Sequence, residues 1–199
     1  MSIIVTGFEP FGGSETNRSW EAVRTLDGAC VELLPVTFSG AAAAVRRIAA
    51  RHPDAIICIG EAGGRSSISV ERVAVNLMDA RIPDNDGEQP RDLPVRPEGP
   101  AAYFSTLPTR TILQRLRDSG IAADLSYTAG TYVCNSTFYT LMDAVSVLQK
   151  PVPAGFIHVP ASDMPADQIA EAVRIILETV RAFLTDPWAD SLEKGRPSA

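Results

Sequence analysis

Three cysteines, two histidines and a scatter of carboxylates are the groups of this chain that can make or break a covalent bond, and their settings differ. Cys134 follows the run Tyr127-Thr128-Ala129-Gly130-Thr131-Tyr132-Val133 and directly precedes a helix predicted to open at Asn135-Ser136-Thr137. A thiol there meets backbone N–H groups without intrahelical acceptors and the positive end of the helix dipole. Both favour the nucleophilic thiolate, and the same N–H groups can hold an oxyanion. By position alone, Cys134 is equally readable as a small buried apolar residue. Cys58, inside Ile56-Ile57-Cys58-Ile59, reads as core. Cys30, at the start of a strand with no activating neighbour, reads as structural.

A cysteine nucleophile working near neutrality needs a base, normally histidine. His52 ends a helix just before Pro53, where an exposed polar or cationic residue is favoured. His158 closes the apolar run Gly155-Phe156-Ile157-His158-Val159-Pro160, which puts it at a strand end on the rim where Cys134 also falls if the strands are parallel. A third group, to orient the imidazole, would be a carboxylate or amide. Glu61, Glu71, Asp79, Asp84 and Asp86 are all within reach, and spacing does not choose among them. Gly60-Glu61-Ala62-Gly63-Gly64-Arg65 is neither a dinucleotide fingerprint nor a P-loop, so no cofactor is expected; its glycines let backbone approach a ligand closely. Phe8 and Phe11, around Pro10, can form either a turn with core aromatics or a flat apolar slot for a small ring.

The elements that must position these groups can be read from periodicity. Strands are predicted at Ile3–Thr6, Val31–Val36, Ala55–Ile59, Asp124–Thr128 and Ala154–Val159, with Ile68–Val75 alternating as a strand near a sheet edge. Helices are predicted over about 19–26, 39–52 with Ser39 as a possible cap, 109–119 and 136–148. A final helix carries Ile169, Val173, Ile176, Leu177, Val180 and Phe183 on one face. From Asp79 to Pro108 the chain is rich in Pro, Asp, Asn and Gly, a long irregular segment of the kind that is usually functional or mobile. Strands alternating with helices imply an α/β layered sandwich with a largely parallel sheet, which binds ligands beyond the carboxyl ends of its strands. No internal linker separates two cores, so one domain over 1–185 and a polar tail over 186–199 are expected.

Bulk properties narrow the function classes. At 199 residues, 45% hydrophobic and 21% charged, the chain matches an ordinary soluble domain. A net charge of -6 with no Lys/Arg run excludes a basic footprint for nucleic acid or anionic lipid. No secretory signal or membrane-length apolar run is expected. An odd cysteine count without CxxC spacing suits reduced cytoplasmic thiols, and two histidines make a zinc site unexpected.

These residues resemble the pyroglutamyl-peptidase I family, also called pyrrolidone-carboxylate peptidase. The resemblance rests on seven segments in family order: Thr6–Gly13, Gly60–Arg65, Glu71–Asn76, Asp79–Asn85, Gly99–Tyr103, Thr128–Asn135 and Phe156–Pro160. It implies a cysteine exopeptidase that hydrolyses the amide bond after an N-terminal pyroglutamyl residue through a thioester. It further implies Cys134 as nucleophile, His158 as base and Glu71 as orienting carboxylate. Phe8 and Phe11 would hold the lactam ring, Arg81 would lie near the reacting carbonyl, and Asn17, Glu61 and Val133 would also line the substrate site. The implied fold is a three-layer α/β sandwich with a mixed, largely parallel twisted sheet flanked by helices, phosphorylase/hydrolase-like. Frequent homo-oligomerisation (dimer or tetramer) and no metal or cofactor are implied as well. A neutral lactam needs apolar walls, one donor and one acceptor, with no buried counter-charge. The chain departs from the family pattern at Arg18, where proline is usual, at Ser136-Thr137, where His-Leu is common, and in a short segment 161–167. A same-triad hydrolase for another small amide or acyl group, and an inert binding module, remain the alternatives.

Overall fold

The computed structural model describes residues 1–186. The N-terminal strand β1 (Ile3–Phe8) leads through helix α1 (Arg18–Val23) to β2 (Cys30–Leu34), and α2 (Phe38–Ala49) to β3 (Ala55–Ala62). The chain then runs through β4 (Ile68–Glu71), β5 (Val73–Val75), β6 (Ala102–Phe104), α3 (Thr109–Asp118) and β7 (Ala123–Ser126). It closes with α4 (Val133–Ser146), β8 (Ala154–Pro160) and α5 (Ala166–Thr185). Six strands form one sheet in the order β2-β1-β3-β8-β4-β7. Every neighbouring pair is parallel except β4 and β8. The expected three-layer α/β architecture with a mixed, largely parallel sheet is the one found.

Alternation along the strands builds the two outer layers. Ile4, Ile56, Cys58 and Phe156 share a core with residues of α2 and α4, whereas Val5, Ile57, Ile59, Ile157 and Val159 share one with α1, α3 and α5. Strands covered on both faces need apolar side chains at successive positions, and β3 and β8 supply them. On α2 the apolar residues Phe38, Ala41, Ala44, Val45 and Ile48 recur at helical spacing. Its cap is Thr37, whose hydroxyl accepts from Gly40 N–H at 3.1 Å, so the helix opens before the expected Ser39.

Three elements differ from expectation for physical reasons. The segment 68–75 is not one strand near an edge. It breaks at Arg72, whose N–H donates to Ser126 O at 2.8 Å while its carbonyl accepts from Ser105 N–H, and β5 leaves to pair with β6 in a separate two-stranded sheet. β4 itself is interior, between β8 and β7, and its alternation separates apolar Ile68 and Val70 from Ser69 and Glu71 without exposing any of the four. Helix α4 opens at Val133, so Cys134 lies inside the first turn instead of ahead of it. Asn135 is no cap: its amide accepts from Val75 N–H and donates to the carbonyls of Val75 and Leu77, clasping β5 against α4. The long segment after Asp79 is irregular as expected, apart from β6 and a Met78–Leu93 bridge. The expected polar tail 186–199 lies, apart from Asp186, outside the described residues. Among the described residues no helix is long and apolar enough to cross a membrane.

Candidate active site

The site forms beyond the carboxyl ends of β1, β3 and β8, where parallel strands leave side chains and free backbone groups to meet a ligand. His158 sits near the end of β8, with Gly60 beside it on β3 and Ser69 beside it on antiparallel β4. Two residues along β4, Glu71 lies fully buried behind the imidazole, and its Oε1 is 2.8 Å from His158 Nδ1. That contact leaves Nε2 as the ring nitrogen for proton exchange. Cys134 reaches the same place from α4: a Cβ placed on Gly60 would stand 3.1 Å from Cys134 Sγ. The sulfur therefore lies over the residue that neighbours His158 in the sheet.

A cavity of about 240 Å³ joins these groups. Phe8, Phe11, Val36, Ala129, Tyr132 and Val133 give it apolar walls, and Asn17, Glu61, Arg65, Cys134 and His158 its polar ones. Phe8 is buried with its ring 6.1 Å from that of Phe156, which in turn lies tilted against His158 with centroids 4.8 Å apart. Phe11 stands 6.3 Å from the ring of Tyr132. The N-cap position of α4 supplies no side-chain acceptor, so the first N–H groups of that helix, around Val133 and Cys134, remain available beside the sulfur.

The structure thus gathers Cys134, His158, Phe8, Phe11, Asn17, Glu61 and Val133 around one hollow, with Glu71 directly behind it. It does not bring Arg81 there. Arg81 is exposed in an adjoining hollow with Asp79, Ile82 and Thr131, separated from the cavity by Phe11 and Tyr132. Asn17 lines the wall but its amide is committed, donating to Glu9 O and accepting from Ser19 N–H and Oγ as the cap of α1. Two of the other carboxylates within sequence reach are engaged elsewhere. Asp84 accepts from the N–H groups of Phe38, Asp86 and Glu88, and Asp79 pairs with Arg91 at 3.6 Å.

Two observations change the expected electrostatics. The cavity is not free of charged side chains, since Glu61 and Arg65 line it. Each is held: Glu61 Oε2 accepts from Arg18 N–H at 2.7 Å, while Arg65 donates to Glu71 Oε1 at 2.6 Å and to Thr128 O at 2.8 Å. The Arg18 N–H given to Glu61 is one that a proline at this position would lack. Its guanidinium also donates to the carbonyls of Ala161, Ser162 and Met164, tying the short segment before α5 to α1. Secondly, the expected standing thiolate is not favoured. Burial pushes the Cys134 thiol up to about 12, with Glu71, Cys58 and Glu61 adding to the rise and Arg65 opposing it. Burial also lowers the His158 imidazole against the raising effect of Glu71. Both shifts favour a thiol beside a neutral imidazole, a pair that can exchange one proton.

Sequence reading did not single out Arg65 or Tyr132. The available signals were the arginine that follows two glycines at the β3 turn, where Gly64 has φ +76, and the aromatic two residues before Cys134.

Comparison with known proteins places this arrangement. A family model described as pyroglutamyl peptidase matches residues 1–182. Among curated relatives, the pyrrolidone-carboxylate peptidase of Gloeobacter violaceus is 52% identical over 80% of this chain and 82% of its own. That of Thermococcus kodakarensis is 48% identical over 92% of each. The crystal structure of Bacillus amyloliquefaciens pyroglutamyl peptidase I superposes with a TM-score of 0.87 at 42% identity, covering 92% of this chain and 98% of that one. A mutant pyrrolidone carboxyl peptidase from Pyrococcus furiosus gives the same TM-score at 38% identity, over 92% and 100%. Likeness in sequence and fold over nearly the whole of both partners leaves one assignment: the chain belongs to the pyroglutamyl peptidase family.

Proposed function

We propose that residues 1–185 act as one cysteine peptidase domain that removes N-terminal pyroglutamate from peptides, with Cys134 as nucleophile, His158 as base and acid, and Glu71 as orienting carboxylate. The observation that carries this reading is the buried Glu71–His158 contact of 2.8 Å opening, through the imidazole, onto the apolar cavity that also holds Cys134. As substrate docks, His158 Nε2 takes the Cys134 proton while sulfur bonds to the pyroglutamyl carbonyl carbon. The oxyanion is held by N–H groups of the first turn of α4. His158 returns the proton to the amide nitrogen, the C–N bond breaks, and the shortened peptide leaves a thioester. Water, deprotonated by His158, then attacks that carbonyl, the C–S bond breaks, and thiol and imidazole are restored.

Phe8, Phe11 and Val133 give the lactam ring flat apolar walls, and Glu61 is an acceptor for its N–H. Asn17 serves by holding the α1 end of the wall, and Arg81, facing the adjoining hollow, is given no contact with the reacting carbonyl. The reading needs no metal or cofactor, nucleic acid or membrane. A cytoplasmic location is supported by three free thiols, one of them in the site. Self-association is supported by an exposed apolar hollow that shares no lining residue with the site, lined by Tyr103, Phe104, Leu148 and Phe183.

A release assay on a pyroglutamyl-peptide, run before and after thiol alkylation, tests the whole. Cys134→Ser should remove most turnover and His158→Ala should cost about 10²–10⁴-fold, both with the fold intact by circular dichroism. Glu71→Gln, which retains shape but not charge, should cost less than His158→Ala. Wild-type turnover by Cys134→Ser would end the nucleophile assignment. Equal turnover of an acyclic N-terminal amide would remove the lactam pocket and favour a broader amide hydrolase.

A further inference from the structure

Glu71 is an unusual carboxylate: both of its strong partners sit on one oxygen. Oε1 takes Arg65 Nη1 at 2.6 Å and His158 Nδ1 at 2.8 Å, while Oε2 is buried with no hydrogen-bond partner among the described residues. A second lone pair on Oε2 could have satisfied one donor and left the other its own oxygen. Instead the guanidinium and the imidazole share the same acceptor, so each bears on how much negative charge the other meets.

Arg65 also reaches beyond the carboxylate. Its Nη2 donates to the carbonyl of Thr128, in the loop that runs from β7 into α4 and delivers Cys134. The side chain is 25% exposed and lines the cavity, so its charge faces the sulfur as well as Glu71. Cys58 and Glu61 face the dyad from β3, Glu71 from β4, and Tyr132 from the cap of α4. Among these described groups Arg65 alone is permanently positive.

We infer that Arg65 is a positioning residue for the reaction: its fork fastens the carboxylate behind His158 to the loop that carries Cys134, and holds one positive charge against both reacting groups. This rests on the proposed Cys134–His158–Glu71 mechanism. Two effects follow from the geometry. The fork fixes the distance between the base's support and the nucleophile's loop, which a lysine, as a point charge, cannot do with both partners at once. The charge opposes protonation of the imidazole and favours loss of the sulfur proton, in the same sense as the α4 N-terminus. Arg65 thereby offsets part of the Glu71 effect and keeps His158 neutral and able to receive the Cys134 proton.

The test uses the full chain and two readouts that need no turnover. His158 is titrated by NMR with labelled histidine, where His52→Gln assigns the other of the two histidines, and Cys134 thiolate is followed by the pH dependence of alkylation. In Arg65→Met both transitions should move to higher pH, and kcat should fall about 10- to 100-fold, the scale of losing hydrogen bonds to a charged group. Arg65→Lys should leave both transitions near wild type yet still lower kcat, because the charge survives and the bridge to Thr128 does not. A folded Arg65→Met with both transitions unmoved would reduce Arg65 to a structural brace and overturn the inference. If Arg65→Met does not fold, Arg65→Gln, which keeps amide donors without charge, is read the same way. Wild-type turnover by Cys134→Ser is a separate result that would sink the mechanism itself.

Discussion

At the scale of single residues, the site is governed by burial competing with local partners. Cys134 and His158 are both desolvated, which favours their neutral forms, and Glu71 and Arg65 work on that balance in opposite senses. The consequence is a pH dependence with a definite sign. The reaction needs His158 unprotonated, and its pKa lies below the ordinary value of 6.5. kcat/KM should therefore be on its plateau at pH 7 and fall only as pH drops below about 6.5, through the depressed pKa. The thiol, pushed up to about 12, adds no rising limb below pH 9 of the kind a titrating free thiolate would give. A kcat/KM profile from pH 4 to 10 checks this. A rise through pH 8–9 would mean that thiolate, preformed by titration, is the reacting species.

The element scale explains what was legible in the sequence and what was not. A helix start announced Cys134 and a strand end announced His158, because a reactive residue at either place marks the rim of a parallel sheet. The partner of His158 was not legible from spacing. Glu71 meets it only because β4 crosses antiparallel to β8 with Ser69 opposite His158, a register that no local period encodes. The start of α4 was misplaced for a related reason. Asn135-Ser136-Thr137 has the composition of a cap, but Asn135 is used to bind β5, a tertiary demand that overrides local preference. At Gly60 two elements of the site are fitted closely. A Cβ there would meet the Phe156 ring at 2.7 Å and Cys134 Sγ at 3.1 Å, so β3 and α4 can approach only over a glycine. Gly60→Ala should destabilise the fold by about 1–3 kcal/mol and lower kcat/KM by about 10- to 100-fold through displacement of the sulfur. Urea denaturation and steady-state kinetics measure the two effects. Loss of stability with wild-type turnover would show that the sulfur's position over β3 is immaterial.

For the whole molecule, the three-layer arrangement sets the cavity apart from a second, apolar hollow. The carboxyl edge of the sheet carries the cavity, whereas the small β5–β6 sheet stands beside α4 and the end of α5. There an apolar hollow of about 460 Å³ is lined by Tyr103, Phe104, Met142, Val145, Leu148, Pro151 and Phe183, with Phe104 68% exposed. The neighbouring Val147 is 77% exposed. A contiguous apolar surface of this kind is costly to leave in water, and the proposed self-association would cover it. None of its lining residues touches the Cys134 cavity, so association through it would leave the reaction's groups untouched. Phe104→Asp places a charge in that hollow while changing a side chain that is already largely in solvent, so the monomer fold should tolerate it. If self-association uses this face, sedimentation of the wild-type chain at micromolar concentration should report a dimer or tetramer, and Phe104→Asp a smaller species with turnover on a pyroglutamyl-peptide retained. An unchanged oligomer in Phe104→Asp would move the contact to another surface, and a monomeric wild-type chain would remove the self-association reading altogether.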